Sequence, residues 1–233
     1  MGDPMLSRWT EGQEETMSVR VVVLSDTHNC HWKLPKLPDG DVLVHAGDFT
    51  FKGTQQEILD FNDWLGSQDH AYKVIVPGNH EVGFEHSWYM ACALLLNADH
   101  VLKDQGVQIM DKKFWGSPWT PEYMGWAFGY TKREGEMRWE MIPEGLDMLI
   151  THGPPHMVFD ACYDKEQKRQ QNVGCRPLFK EVVERARPRF HVFGHVHENY
   201  GRASFQGVEF MNVSQLDGQY RQSPDRVPMV VDL

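Results

Sequence analysis

Cysteine is scarce in this chain, and what there is stands apart. Cys30, Cys92, Cys162 and Cys175 are the only 4 among 233 residues, and no two are spaced as Cys-x-x-Cys. That excludes a disulfide framework and a zinc ribbon, and it fits reduced thiols in a cytoplasmic setting. Long apolar runs are missing too. The stretch around residues 91–96 falls far short of the roughly 20 residues that a membrane-spanning helix requires. The first residues lack an apolar signal region, so neither a membrane anchor nor secretion is expected. Positive charge is in deficit as well: 23 Lys and Arg stand against 33 Asp and Glu, for a net charge of −10. Such a surface is repelled by the nucleic-acid backbone and by anionic membranes. An anionic substrate would need a local source of positive charge, and bound cations are the natural one.

What is present is an ordinary globular composition, 41% apolar and 24% charged, in a length that supports one sizeable core. Residues 1–17 are polar and acidic without periodicity and read as a flexible tail, leaving residues 18–233 as a single domain. Short apolar runs at 19–24, 41–44, 73–76, 145–151 and 190–193 predict buried strands. Residues 55–65 carry apolar side chains at helical spacing, closed by Gly66, and 88–96 predicts a largely buried helix. Two further helices are expected at 134–141 and at 176–187, the latter turning Leu178, Phe179, Val182 and Val183 inward. Residues 107–110 and 113–115 read as strands joined at Asp111, 201–205 and 208–213 as a hairpin over Gln206-Gly207, and 229–232 as an edge strand. Residues 160–175 are polar and read mostly as loop.

The predicted strands end alike. Ser25-Asp26-Thr27-His28, His45-Ala46-Gly47-Asp48, Gly78-Asn79-His80-Glu81, Thr151-His152-Gly153 and Gly194-His195-Val196-His197 each follow an apolar run. Strand carboxyl ends are where open α/β sheets place their chemistry. Asp-x-His and His-x-His put two donors on one short turn, and in extended backbone that spacing aims both side chains the same way. Gly47 permits a tight turn before Asp48, whose two oxygens can bridge two cations. Asp26, His28, Asp48, Asn79, His152, His195 and His197 supply two carboxylates, one amide and four imidazoles, with no thiolate. That mix suits two divalent or trivalent ions of the Mn²⁺, Fe or Zn²⁺ kind better than Mg²⁺ or Ca²⁺. Two such ions about 3.5–4 Å apart can clamp a phosphoryl group and hold an activated hydroxide. His80 is not needed for metal, and its place beside Asn79 suits a general acid.

Together, Asp-x-His, Gly-Asp, Gly-Asn-His-Glu, His-Gly and Gly-His-x-His resemble the calcineurin-like metallophosphoesterase superfamily over residues 19–213. Within it, residues 116–121, 151–155 and 191–194 resemble the metallophosphoesterase-domain-containing branch, which is similar to class III cyclic-nucleotide phosphodiesterases. The resemblance implies an α/β fold, a four-layer α-β-β-α sandwich of two mixed sheets with a dinuclear metal centre at the strand ends. It assigns one metal to Asp26, His28, Asp48 and His197, the other to Asp48, Asn79, His152 and His195, and makes His80 the catalytic histidine. The activity it implies is a phosphodiesterase acting on small phosphodiesters such as cyclic nucleotides, through attack by a metal-bridging hydroxide. On the same centre, a phosphomonoesterase, a phosphoprotein phosphatase or a nuclease is the alternative. Outside enzymes, the alternative is a non-catalytic nucleotide-binding scaffold. The acidic charge disfavours the nuclease, the absence of an added substrate-binding domain disfavours the protein phosphatase, and the intact ligand set disfavours the scaffold. The expected partners are a small phosphodiester or nucleotide and at most a second copy of the chain as a homodimer, with no extended nucleic acid and no membrane.

Seven of the 12 histidines remain unclaimed and read as surface or hydrogen-bonded core residues, with His31 and His156 nearest the ligand motifs. Glu81 divides evenly between holding a ligand in place and a salt bridge in the turn. Trp115 and Trp119 read first as packing residues, with stacking on a nucleobase as the second reading. Cys30 reads as a small loop residue rather than a nucleophile. Lys180, Arg187 and Arg189 read as a solvated helix face rather than a phosphate site.

Overall fold

Side-chain alternation along the central strands decides the architecture. In the computed structural model, which describes residues 18–164 and 168–233, Val21 and Val23 face one core while Val22 and Leu24 face another. Both faces of the strand are covered, and for that reason it is apolar throughout rather than alternating with polar residues. The expected tail, residues 1–17, lies outside the described residues.

In chain order the first sheet gains β1 (Arg20–Leu24), β2 (Val42–His45), β3 (Tyr72–Ile75) and β4 (His100–Val101). The chain then enters the second sheet with β5 (Gln105–Ile109) and β6 (Lys112–Ser117), and makes a small pair, β7 (Thr120–Pro121) and β8 (Gly129–Tyr130). β9 (Met148–Thr151) is followed by a separate hairpin, β10 (Ala161–Asp164) and β11 (Arg169–Asn172). The second sheet continues with β12 (Phe190–Phe193), β13 (Gly201–Phe205) and β14 (Val208–Asn212), and β15 (Met229–Asp232) returns to the edge of the first. The first sheet runs β15-β1-β2-β3-β4 and the second β13-β14-β12-β9-β6-β5. β1 to β4 are parallel, as are β6, β9, β12 and β14, while β15, β5 and β13 run antiparallel. Both sheets are therefore mixed.

Between the sheets lies one core, where Val21, Val23, Val42 and Val44 meet Met148, Ile150, Val192 and Met211. The outer face of the first sheet packs on α1 (Gln55–Gly66), through Ile58, Phe61, Trp64 and Leu65, and on α2 (Val82–His86) and α3 (Trp88–Leu94). The outer face of the second packs on α4 (Lys132–Trp139) and α5 (Arg176–Glu181), which continues into a π-helical turn over Val182–Ala186. The result is the expected four-layer sandwich. A capping box between Thr54 and Glu57 starts α1, where two orphan N–H groups gain partners.

Three expectations need correction. The helix expected at 88–96 stops at Leu94 and is not largely buried: Tyr89, Met90 and Leu96 are exposed and only Ala91 within the helix is buried. It lies on the outer surface with one narrow face inward, so apolar residues on its other faces remain in solvent. Residues 160–175 contain the β10–β11 hairpin, whose four paired positions are mostly polar and so give no apolar alternation to read. The helix at 176–187 is α-helical only to Glu181 and then widens into the π-turn, with Arg187 left-handed at φ 43°.

Candidate metal centre

Parallel strands of both sheets point their carboxyl ends at one place. β1 delivers Asp26 and His28, β2 Asp48, β3 Asn79 and His80, β9 His152, and β12 His195 and His197. The two sheets are stitched together there, because Ser25 N donates to Val213 O and Gln215 N to Ser25 O. The backbone is not extended as the i, i+2 spacing suggested. Asp26, His28, Asp48 and His195 have φ of 54°, 39°, 55° and 68°. Left-handed non-glycine residues cost about 1–3 kcal/mol each, and their concentration at these loops is typical of a functional site. Amide contacts hold the turns: Asp26 N donates to Gly47 O at 2.9 Å and His28 N to Asp48 O at 3.0 Å. Gly47, at φ 104°, has no room for a side chain, since a Cβ would collide with the His152 ring. A Cβ on Gly194 would strike the Asp26 carboxylate.

The expected donors converge. His197 Nε2 lies 3.2 Å from Asp26 Oδ1, and His152 Nε2 lies 3.2 Å from Asp48 Oδ2. His28 Nε2 stands 3.9 Å from Asp26 Oδ1 and 3.8 Å from Asp48 Oδ2. His152 Nε2 is 3.0 Å from Asn79 Oδ1. Asp26–His28–His197 and Asp48–His152–His195 each bring their ligand atoms within 4.8 Å, and so does His28–Asp48–His80. Asp48 departs from expectation in one respect. Its Oδ1 accepts the His80 N–H at 2.9 Å, so Oδ2 alone faces both groups of imidazoles.

Hydrogen bonds set the imidazole tautomers. His28 Nδ1 donates to Thr50 O at 3.2 Å, His152 Nδ1 to Ala46 O at 2.9 Å and His197 Nδ1 to Asp217 O at 3.1 Å. With a proton on Nδ1, each Nε2 is the nitrogen turned inward, and it can ligate a cation once any proton it carries has left. The Nε2 atoms of His28 and His197 are only 3.1 Å apart. At that separation either one Nε2 donates a proton to the other or both face a shared cation, and the mixed carboxylate, amide and imidazole donor set fits cations. Electrostatics agree. Burial opposes ionisation of Asp26, but the hydrogen bond and charge of His197 hold its carboxyl well below the usual carboxylate range. Burial likewise opposes Asp48, and His152 holds it low. Burial would lower His152, yet the Asp48 carboxylate raises it to about 9, whereas desolvation dominates at His28 and His195 and takes both to about 4. A cation entering this cage displaces protons from imidazole.

Around the donors stands a supporting layer. Ser214 Oγ donates to Asp26 Oδ2 at 2.9 Å, and His195 N reaches both carboxylate oxygens, Oδ2 at 3.0 Å and Oδ1 at 3.1 Å, while Oδ1 also faces His197 Nε2. Glu81 is fully buried and accepts from Gly78 N, Asp48 N, Thr50 N and Thr50 Oγ1 at 2.5–2.9 Å. It is therefore the clasp of the Asp48 and Asn79 loops and not a surface salt bridge. Burial and the Asp48 charge push its carboxyl up, against the pull of the Gly78 and Thr50 donors.

The cage opens into a cavity of about 250 Å³, lined beyond the donors by His80, Tyr123, Trp126, Glu198, Gly218 and Tyr220. Trp126 stacks on His80 with ring centres 4.2 Å apart and planes at 27°. Tyr220 meets His28 and His197 edge-on at 4.9 and 5.0 Å. Neither aromatic was singled out from sequence. Their only signal is a large aromatic within a glycine-containing loop. Trp115 and Trp119 lie elsewhere: Trp115 is buried in the outer core of the second sheet, and Trp119 sits beneath the Arg138 guanidinium at 3.4 Å and donates to Asp104 at 2.7 Å. His31 is buried against Phe61 and Trp64 and bonds Asp60 at 2.9 Å. His156 pairs with Asp160 at 3.3 Å beside a different cleft. Cys30 is half-buried, 3.8 Å from Lys33 Nζ, and Arg189 pairs with Asp147 at 3.4 Å, away from the cage.

Residues 19–199 match the family model described as calcineurin-like phosphoesterase. The chain is 37% identical over 237 residues to Metallophosphoesterase domain-containing protein 1 of Homo sapiens, covering 92% of this chain and 71% of that protein. The Mus musculus protein of the same name matches with the same identity and coverage. Among solved structures, a conserved uncharacterized protein of Streptococcus pneumoniae TIGR4, titled a predicted phosphoesterase, aligns with a TM-score of 0.42 at 12% identity, over 93% of this chain and 84% of that one. Among the described residues, no helix is long and apolar enough to cross a membrane.

Proposed function

The chain belongs to the calcineurin-like phosphoesterase family and is thereby a metal-dependent phosphoric ester hydrolase; we propose that it is a phosphodiesterase for small diesters, cyclic nucleotides among them. Asp26, His28, Asp48 and His197 would hold one cation, and Asp48, Asn79, His152 and His195 the second, with Asp48 shared. The cations, when bound, neutralise phosphoryl oxygens and activate water for attack on phosphorus. The observation that carries this reading is the convergence of Asp26, His28 and His197 and of Asp48, His152 and His195, each set with its ligand atoms within 4.8 Å of one another.

The chain's own residues supply the rest. His80 Nδ1 is anchored on Phe51 O at 2.9 Å, which aims Nε2 into the cage 4.0 Å from Asp48 Oδ2. Held there and stacked under Trp126, His80 delivers a proton to the departing ester oxygen. The Asn79 amide orients without adding negative charge, and Glu81 fixes the loops that carry Asp48 and Asn79. Among the described residues, no Lys or Arg lines the cavity. A diester, with one negative charge, asks less of such a site than a monoester dianion, and this supports the diesterase reading. A cavity of about 250 Å³ lies below the usual range for drug-sized ligands, which supports a small substrate. None of the four cysteines is in a disulfide, which supports a reducing compartment such as the cytoplasm.

Protein supplied with Mn²⁺, Fe or Zn²⁺ is expected to hydrolyse bis-p-nitrophenyl phosphate faster than p-nitrophenyl phosphate and to stop on chelation. Faster turnover of the monoester would overturn the diesterase assignment. Inactivity toward both, with metal bound, would overturn the catalytic one.

A further inference from the structure

The mouth of the cavity has two unlike walls. Trp126, stacked on His80, and exposed Tyr123 form one; Glu198, Gly218 and Tyr220 form the other. The second wall is built, not incidental. The Asp217 carboxylate accepts Gln219 N at 2.8 Å, Arg221 N at 3.0 Å and the Arg221 guanidinium at 2.8 Å, while its carbonyl accepts His197 Nδ1. That turn presents Tyr220 in a left-handed conformation, φ 58°, with its ring over His197 and His28. Gly218 leaves room for Glu198: a Cβ there would lie 3.2 Å from the Glu198 carboxyl carbon. Among the described residues, no Lys or Arg forms an ion pair with Glu198. Its carboxylate thus stands at the rim without a directly paired cation, the charge of Arg226 reaching it only at longer range, and among the described residues no Lys or Arg lines the cavity.

We infer that Glu198, Trp126 and Tyr220 select the substrate: an ester with one negative charge and a flat ring, the ring held at the aromatic walls and a second anionic group turned away by Glu198. The inference rests on the phosphoesterase reading above. Two physical effects support it. A ring entering the mouth gains aromatic contact on Trp126 and Tyr220, a term that does not depend on the ring's identity. A further anionic group near Glu198 meets like charge at an exposed rim, where solvent moderates the repulsion without abolishing it. Nucleobases, phenyl and nitrophenyl groups all meet the first condition. Nucleoside diphosphates, triphosphates and terminal monoesters fail the second.

Three hydrolysis-resistant phosphonates separate the terms: phenylphosphonate monomethyl ester (ring, one charge), phenylphosphonate (ring, two charges at pH 8) and methylphosphonate monomethyl ester (one charge, no ring). Titration calorimetry on the Mn²⁺-loaded full chain reads each Kd. Glu198→Gln is expected to tighten phenylphosphonate about fivefold relative to its monomethyl ester. Trp126→Leu is expected to weaken both phenyl compounds about tenfold and the methyl compound little, with Trp126→Phe restoring most of the loss. An unchanged preference in Glu198→Gln, or equal weakening of all three ligands in Trp126→Leu, would overturn the selection. If these preferences stay flat while bis-p-nitrophenyl phosphate is still hydrolysed, only the selection fails. If no phosphonate binds and no ester is hydrolysed, the phosphoesterase reading fails with it.

Discussion

The two sheets bring different chemistry to the same place. Loops of the first sheet carry every oxygen donor of the cage, Asp26, Asp48 and Asn79, together with His28 and His80. Loops of the second carry only imidazoles, His152, His195 and His197. The carboxylates lie where backbone and hydroxyl donors are dense: His80 N and His195 N reach into them, and Glu81 ties down the loops behind. Of the imidazoles of the second sheet, His152 and His197 need only one carbonyl each to set their tautomers, Ala46 O and Asp217 O. Each half alone is an incomplete site, one overly negative and the other neutral. Cations are what make the halves complementary, and Asp48 is the residue on which that complementarity turns.

Asp48→Ala is the change that breaks the comparison most completely. It removes the one oxygen, Oδ2, that faces imidazoles of both sheets. Loss of both metals and of activity by at least roughly 10³-fold is expected, read by elemental analysis and by kcat/KM on bis-p-nitrophenyl phosphate. One metal retained per chain would mean that the halves bind independently. His80→Ala asks whether a first-sheet histidine outside the proposed ligand set behaves differently from the ligands. Both metals are expected to stay while kcat falls about 10²–10³-fold. Metal loss instead would make His80 a ligand in the His28–Asp48–His80 group. Glu81→Gln leaves every donor of the cage in place but disturbs the clasp behind Asp48. Metal affinity is expected to fall about 10–100-fold, seen as a higher Mn²⁺ concentration for half-maximal rate. An unaltered Mn²⁺ requirement would reduce Glu81 to a packing residue.

Most of the cage was legible because its grammar is local. An apolar run that stops at Asp-x-His or His-x-His names both the strand and the donors at its end, and the five runs were long enough to read. The backbone shape of those ends was not legible. Spacing says nothing about φ, so Asp26 and His28 proved left-handed rather than extended. The mouth escaped for a related reason. Trp126 and Tyr220 sit on loops without periodicity, and what makes them part of the site is tertiary placement over His80 and His197. The β10–β11 hairpin was hidden by its polar pairs, Cys162 against Gln171 and Tyr163 against Gln170 among them. The helix beginning at Trp88 was misjudged in the opposite sense, since apolar residues all round a helix suggest burial that only the neighbouring layer can grant.

The smallest expected effect concerns the core beneath the second sheet's loops. His191 on β12 is fully buried, donates through Nε2 to Thr151 Oγ1 at 2.8 Å and, among the described residues, leaves Nδ1 without a hydrogen-bond partner. Burial takes its pKa from 6.5 to about 3. The neutral ring is what the fold accommodates, so His191's contribution to stability is complete above pH 6.5 and drains away as pH falls toward 3. Within that window it costs up to about 1.4 kcal/mol per pH unit. His191→Phe keeps the ring volume and removes the titration, at a cost of about 1 kcal/mol at neutral pH for the lost hydrogen bond. His45 on β2, also taken to about 3 by burial, remains in the variant and keeps part of the slope. Melting temperatures measured from pH 7 to pH 4.5 should therefore fall less steeply for His191→Phe than for the unmodified chain, and the two curves should cross between about pH 6 and pH 5, the variant being the more stable on the acid side. Parallel curves would show that His191 takes up its proton in the folded state, which its sealed position between β9 and β14 argues against.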